Sequence, residues 1–142
     1  MSALDLEHFL PYRLSVLSNR VSRGIAETYE ARFGLSVTEW RVIAILGRYP
    51  GASATEVAQR AAMDKVSISR AVRRLLDYGR IEREANDADR RERHLHLTPA
   101  GQAIYDDIAP AALAYERRIR EALSDDENAM LERLIDKLGQ VV

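Results

Sequence analysis

Residues 63 to 101, MDKVSISRAVRRLLDYGRIEREANDADRRERHLHLTPAG, decide how this chain is read. The first half predicts a helix with two unlike faces. Stepping about 100° per residue from Ile68 brings Ala71, Val72 and Leu75 to the same side, while Val66, Arg70, Arg73, Arg74 and Asp77 fall opposite. Asp64 is placed to cap the helix start, because its carboxylate accepts from first-turn amides and suits the positive end of the helix dipole. Gly79 supplies the left-handed conformation that ends a helix. The period then changes to two: Ile81, Arg83 and Ala85 alternate with Arg80, Glu82 and Glu84. After a polar, turn-prone stretch from Asn86 to Glu92, Leu95 and Leu97 alternate with His94 and His96. A helix followed by a two-stranded ribbon with a charged tip is the layout of a winged helix-turn-helix. Its helix enters the major groove of DNA and its wing tip follows the backbone toward the minor groove.

Taken singly, each part has a plainer reading. An arginine-rich helix face is more often a solvated surface than a nucleic-acid contact, and a charged hairpin is usually only soluble. The charge distribution favours the sharper reading. Residues 65–93 hold nine Lys/Arg against six Asp/Glu, a net of +3, and the remainder of the chain carries −4. Positive charge is concentrated where such a motif needs it.

These residues resemble the core of the multiple antibiotic resistance regulator (MarR) family. The motifs that carry the resemblance are Arg74-Leu75-Leu76-Asp77-Tyr78-Gly79 at the end of the helix, Asp89-Arg90-Arg91 in the wing, and Leu97-Thr98-Pro99-Ala100-Gly101 after it. Their order and spacing carry it, and it extends over nearly the whole chain. It implies a mainly α fold with a small β-hairpin, and a homodimer held by intertwined N- and C-terminal helices. It also implies a small-molecule pocket between those helices and the winged body. In the wing it implies that the Asp89 carboxylate orients an arginine, Arg90 or Arg91, toward the minor groove. Arg74 matches an arginine nearly fixed in the family, which holds either the DNA backbone or a neighbouring helix.

The residues themselves divide by chemistry. Arg70 and Arg73 suit bidentate contacts to guanine, the commonest specific contact to a base. Ser67 and Ser69 flank that face and reach base edges or phosphates, while Lys65 and the first-turn amides suit phosphate. Arg93 adds a further phosphate contact from the wing.

With 142 residues, 46% hydrophobic and 30% charged, the chain is one domain with ample material for a core. We assign 35–100 to the winged core, and 1–34 with 101–142 to dimerisation helices. No apolar run approaches the ~20 residues of a membrane span, and the N-terminus lacks the pattern of a signal peptide, so the expectation is a cytoplasmic protein without a membrane partner. The absence of cysteine excludes disulfides, thiolate metal sites and cysteine nucleophiles.

Enzyme chemistry finds little support. Gly-x-Ser-x-Gly, His-Glu-x-x-His and a glycine-rich phosphate loop are all missing. Asp106-Asp107 and Asp125-Asp126 are adjacent in sequence, so on a helix each pair diverges by about 100° and cannot jointly grip a substrate. His94 and His96 share one strand face without a third ligand, so neither a metal nor a cofactor is expected.

Outside the decisive stretch, residues 4–33 read as a helical segment with Leu14, Leu17, Val21, Ile25 and Tyr29 on one stripe and Pro11 at a start or bend. Three Ser-x-x-Glu boxes, Ser36 with Glu39, Ser53 with Glu56, and Ser124 with Glu127, mark helix starts. The helix over 37–48 turns Trp40, Ile43, Ala44 and Leu46 inward, and a short alanine-rich helix over 54–61 completes the helix-turn-helix. Thr98 and Pro99 open a long helix that Pro110 should kink, and the last helix carries Leu131, Leu134, Ile135 and Leu138.

The terminal apolar stripes either fold back on their own domain or cover a second copy. We favour the second copy, because two reading helices about one DNA turn apart, ~34 Å, match a two-fold symmetric site. The function expected is a double-stranded-DNA-binding regulator, a repressor released by a small ligand. The alternatives are a winged helix that binds protein and a DNA-binding protein without a sensor. Tyr12, Arg13, Trp40 and Arg41 are the candidate pocket residues, mixing aromatic surface with charge for an anionic or aromatic effector; Trp40 is equally well placed for the core.

Overall fold

Serine, threonine and aspartate side chains set most of the helix starts. The computed structural model describes the backbone of residues 3–86 and 89–142, and the side chains of these residues other than 85–93. After a 3-10 turn at Leu6–His8 come α1 (Leu10–Ala26), α2 (Glu30–Phe33), α3 (Val37–Arg48), α4 (Ala54–Ala61), α5 (Lys65–Asp77), β1 (Ile81–Asn86), β2 (Asp89–Leu97), α6 (Pro99–Glu121) and α7 (Asp125–Val141). Ser36, Ser53, Thr98 and Ser124 each accept a hydrogen bond from the amide three residues on. That contact satisfies an amide the helix itself leaves without a partner. The reciprocal glutamate contact is made at Ser36–Glu39 and Ser124–Glu127. At Ser53 only half of the expected box is present: the amide of Glu56 reaches the serine, and the glutamate side chain stays exposed in solvent.

The N-terminal segment departs from the single helical stripe expected over 4–33. Pro11 sits in the first turn of α1, where its missing N–H costs nothing. The helix then stops at Ala26, because the Thr28 hydroxyl donates back to the carbonyl of Ile25 at 2.7 Å and competes with the helical ladder. The break rotates Tyr29 inward, where it is 1% exposed. Gly34 at φ 64° then closes the one-turn α2.

One core lies beneath the winged body. Tyr29, Leu35, Val42, Ile43 and Leu46 meet Val57 from α4, then Ile68, Val72 and Leu75 from α5, and Ile81 and Leu95 from the hairpin. Ile104 and Ile108 of α6 close it. Each of the larger side chains contributes about 1.5–3 kcal/mol by leaving water. β1 and β2 pair antiparallel with Ile81 opposite Leu97 and Arg83 opposite Leu95, so the alternation read from the sequence is the one that packs. The ribbon extends further than expected: Asn86 and Asp89–Glu92 belong to strands where a loop was foreseen, with a register shift between Ala85 and Asn86. Antiparallel pairing joins backbone to backbone and tolerates the polar side chains that suggested a loop.

The base of the wing is tied to the turn after α3. Gly51, at φ +88°, donates its N–H to the carbonyl of Leu95 at 2.9 Å, and the N–H of Leu95 donates to Ala52 at 3.0 Å. α6 runs as one helix through Pro110. α7 contains no buried residue at all. No described helix is long and apolar enough to cross a membrane.

Candidate nucleic-acid interface

α5 presents its polar face because its apolar face is fully used. Ile68, Ala71, Val72 and Leu75 are at most 5% exposed, whereas Lys65, Ser69, Arg70 and Arg73 all lie open to solvent. The preceding turn holds Ala62 in the left-handed conformation, φ 53°, which swings the chain from α4 into α5. Asp64 then fixes the helix start twice, accepting from the Ser67 amide and the Ser67 hydroxyl, each at 2.8 Å. These bonds, the amide first, hold the Asp64 carboxyl below its ordinary range. At the other end Gly79, φ +70°, closes the helix: its N–H donates to Leu76 and that of Arg80 to Leu75.

The arginines expected to act together separate into different roles. Arg70 and Arg73 have no acidic partner among the described residues and project from the centre of the open face. Arg74 turns toward α3, its Nε 3.5 Å from the carboxylate of Glu39, with 58% of its side chain still exposed. Of the two options for Arg74, the neighbouring helix is therefore the one realised within this chain. Arg80, counted in the basic cluster, donates to the carbonyl of Phe33 at 2.7 Å, so it braces the end of α5 against α2. Ser67 is committed to the cap through its hydroxyl proton, leaving only its oxygen lone pairs to accept from a base or another donor. The side chains of Asp89, Arg90, Arg91 and Arg93 lie outside the described residues.

Glu39 is the residue the sequence reading undervalued. Its spacing from Ser36 marked it as a cap, yet it is 4% exposed and its Oε2 has no hydrogen-bond partner among the described residues. A buried carboxylate requires a cation nearby, and Arg74 is that cation. The cap of α3 and the reading helix are thus held by one side chain. The wing histidines also have structural partners. Nδ1 of His94 lies 2.5 Å from the Gly51 carbonyl, which can only accept, so that nitrogen carries the proton; Nε2 of His96 lies 3.2 Å from Glu84.

The four candidate pocket residues fall into two places. Trp40 and Arg41 line a hollow of about 160 Å³ together with Ser22, Ile25, Tyr29, Val37 and Ala44. Trp40 is half-buried between Tyr29, at 5.8 Å between ring centres, and Tyr105, at 6.1 Å. Burial pushes the Tyr29 hydroxyl up to about 12, so it stays protonated and available as a donor. Nη2 of Arg41 donates to Ser22 at 3.4 Å. Tyr12 and Arg13 instead border a separate, wider hollow of about 470 Å³ along α1.

A capped helix with free arginines, a preceding short helix at a tight turn and a following hairpin define a winged helix-turn-helix. The profile of the MarR family matches residues 33–92, from the end of α2 to the wing. The HTH-type transcriptional regulator PetP of Rhodobacter capsulatus is 33% identical over 60% of this chain, and the chain spans 60% of that regulator's length. A solved MarR/EmrR family transcriptional regulator from Acinetobacter is 26% identical with a TM-score of 0.87, covering 96% of both chains. A mutant MarR from E. coli, solved in complex with operator DNA, shares the fold with a TM-score of 0.80 at 23% identity, over 96% of this chain and 99% of that one. The winged core thus matches the MarR family model, and over most of its length the chain is similar to transcription regulators of that family.

Proposed function

We propose that this protein acts in the cytoplasm as a homodimeric repressor that binds a pseudo-palindromic DNA site and is released by a small ligand. The observation that carries the DNA half of the reading is the open face of α5, where Arg70 and Arg73 have no acidic partner among the described residues and stand over a buried apolar face. Arg70 and Arg73 read guanine, and Lys65 and Ser69 contact phosphate or base edges. In the wing, Asp89 orients Arg90 or Arg91 toward the minor groove, and Arg93 adds a phosphate contact. Arg74 keeps the reading helix against Glu39 and lends its exposed charge to the phosphates.

Surface that this chain leaves bare supports the dimer. Leu4, Leu6, Leu10, Leu14 and Leu17 at the N-terminus, and Leu131, Leu134, Ile135 and Leu138 in α7, are between 38% and 65% exposed. Apolar stripes of this kind are covered in solution by other apolar surface, and a second copy offers the same stripes. The ligand sits in the hollow of Trp40 and Arg41, where aromatic rings and a guanidinium favour an aromatic or anionic molecule. It releases DNA by preferring a dimer whose reading helices are misspaced.

The test is a mobility shift with a selected two-fold site at two salt concentrations, alongside sedimentation velocity. The expected result is a dimer whose affinity falls steeply with salt, with a log–log slope near −0.9 per phosphate contacted. A monomer, or affinity for no duplex at low salt, overturns the reading. Titrating aromatic acids against Trp40 fluorescence and DNA release tests the sensor separately.

A further inference from the structure

The open face of α5 is not wholly polar. Val66, in the first turn, is 61% exposed, while every other aliphatic side chain of α5 except the half-buried Leu76 is buried. Stepping about 100° per residue places Arg73, Asp77 and Arg70 within about 40° of Val66, so it lies at the centre of the face directly opposite Leu75 and the core. It is one turn before Arg70 and two before Arg73, on the same line. Its neighbours Lys65 and Ser69 are exposed as well.

The charge along this line has a direction. Arg70 and Arg73 are followed by Asp77 at the far end, whose carboxylate is repelled by phosphate, whereas the Asp64 carboxylate at the near end is taken up by the Ser67 amide and hydroxyl and by the positive end of the helix dipole. The helix is therefore favoured to enter a groove by its N-terminal end, which places Val66 deepest. A valine on a helix holds one dominant χ1 rotamer, so its two methyl groups form a fixed apolar probe. The major-groove edges of the four bases offer hydrogen-bonding groups, with one apolar exception: the C5 methyl of thymine.

We propose that Val66 is a specificity-determining residue that reads a thymine methyl group in each half-site, next to the base read by Arg70. This rests on the DNA-binding reading given above. An aliphatic side chain at that depth leaves the hydrogen-bonding edges of adenine, guanine and cytosine without a partner, and so disfavours them, while gaining apolar contact with thymine.

The experiment uses the full chain and duplex DNA selected from a random pool. The expected selection contains one strongly preferred thymine per half-site. Replacing that thymine with deoxyuridine in both half-sites removes only the methyl groups. For the wild-type protein this is expected to weaken binding about fourfold per half-site, and about fifteenfold for the whole site. Val66→Ala, which favours helix and leaves the fold intact by circular dichroism, is expected to bind both duplexes equally, and Val66→Ile to restore the discrimination. Selection without a preferred thymine, or equal sensitivity to deoxyuridine in Val66→Ala, overturns the assignment while leaving DNA binding standing. Failure of the wild-type protein to bind any duplex overturns the DNA-binding reading itself, and this assignment with it.

Discussion

α5 and α7 are both amphipathic helices, of 13 and 17 residues, yet they end in opposite circumstances. α5 buries its apolar face in its own chain and leaves cations outside; α7 buries nothing and leaves Met130, Leu131, Leu134, Ile135 and Leu138 in water. A sequence pattern reveals that a helix has an apolar stripe, and only packing reveals who covers it. Once packing is known, the chemistry of the uncovered face points to the partner. A row of free guanidinium groups calls for a polyanion, and a bare aliphatic stripe calls for another such stripe.

The largest effect is expected at α7. Leu134→Glu combined with Leu138→Glu places charge where the monomer already meets solvent, so folding of the single chain is expected to survive. The dimer dissociation constant should nevertheless rise at least about a hundredfold, because each interface would bury unpaired carboxylates. Sedimentation velocity checks this, and a dimer of undiminished strength would mean that α7 is not the covering face. The counterpart at α5 is Arg73→Ala, expected to weaken binding to a selected site by about 1–3 kcal/mol per half-site without moving the thermal midpoint. Loss of thermal stability in that variant would show Arg73 to be structural.

A smaller effect separates Arg74 from its neighbours. Arg74→Ala leaves the Glu39 carboxylate buried without its cation and should cost about 1 kcal/mol of stability, given that the arginine is more than half exposed. Adding Glu39→Gln should recover most of that loss, since glutamine keeps the cap and needs no counter-charge. A double-mutant cycle in denaturant measures the coupling; strictly additive losses would refute it. The smallest change is expected for Asp64→Ala. Because the folded-state carboxyl is held below its ordinary value of 3.8, the cap stabilises above that pH and the contribution disappears as pH falls through the depressed value. The wild-type and variant melting temperatures should therefore differ by a few degrees near neutrality and converge in acid.

The order of elements was legible because its signals are local. Asp64 and Gly79 bracket α5, Thr98 and Pro99 open α6, and the alternation about Ile81 and Leu95 sets the hairpin, all by chemistry within a few residues. What escaped was set by distant neighbours. Nothing near Glu39 in the sequence signals that α5 will lie over it, and nothing beside Arg80 signals that its guanidinium will meet the carbonyl of Phe33, 47 residues earlier. Within the basic cluster the structure thus gives Arg74 and Arg80 partners in their own chain that the sequence did not announce. The break at Thr28 was missed for the opposite reason: a local hydroxyl contact overrode an apolar stripe that continued through it. The grouping of the candidate pocket residues was the least legible part, since Trp40 and Arg41 meet Tyr29 only after that break has formed, while Tyr12 and Arg13 line a different hollow.

The junction between α5 and α6 has a mechanical consequence. The Thr98 hydroxyl donates to Gly79 at 2.6 Å and the Thr98 amide to Arg80 at 3.1 Å. A Cβ on Gly101 would stand only 1.9 Å from the Arg80 carbonyl, so the two helix ends touch backbone to backbone. That joint has no slack. α6, ~34 Å long, is joined at its foot to the end of α5, so a change in the tilt of that foot would carry α5 with it.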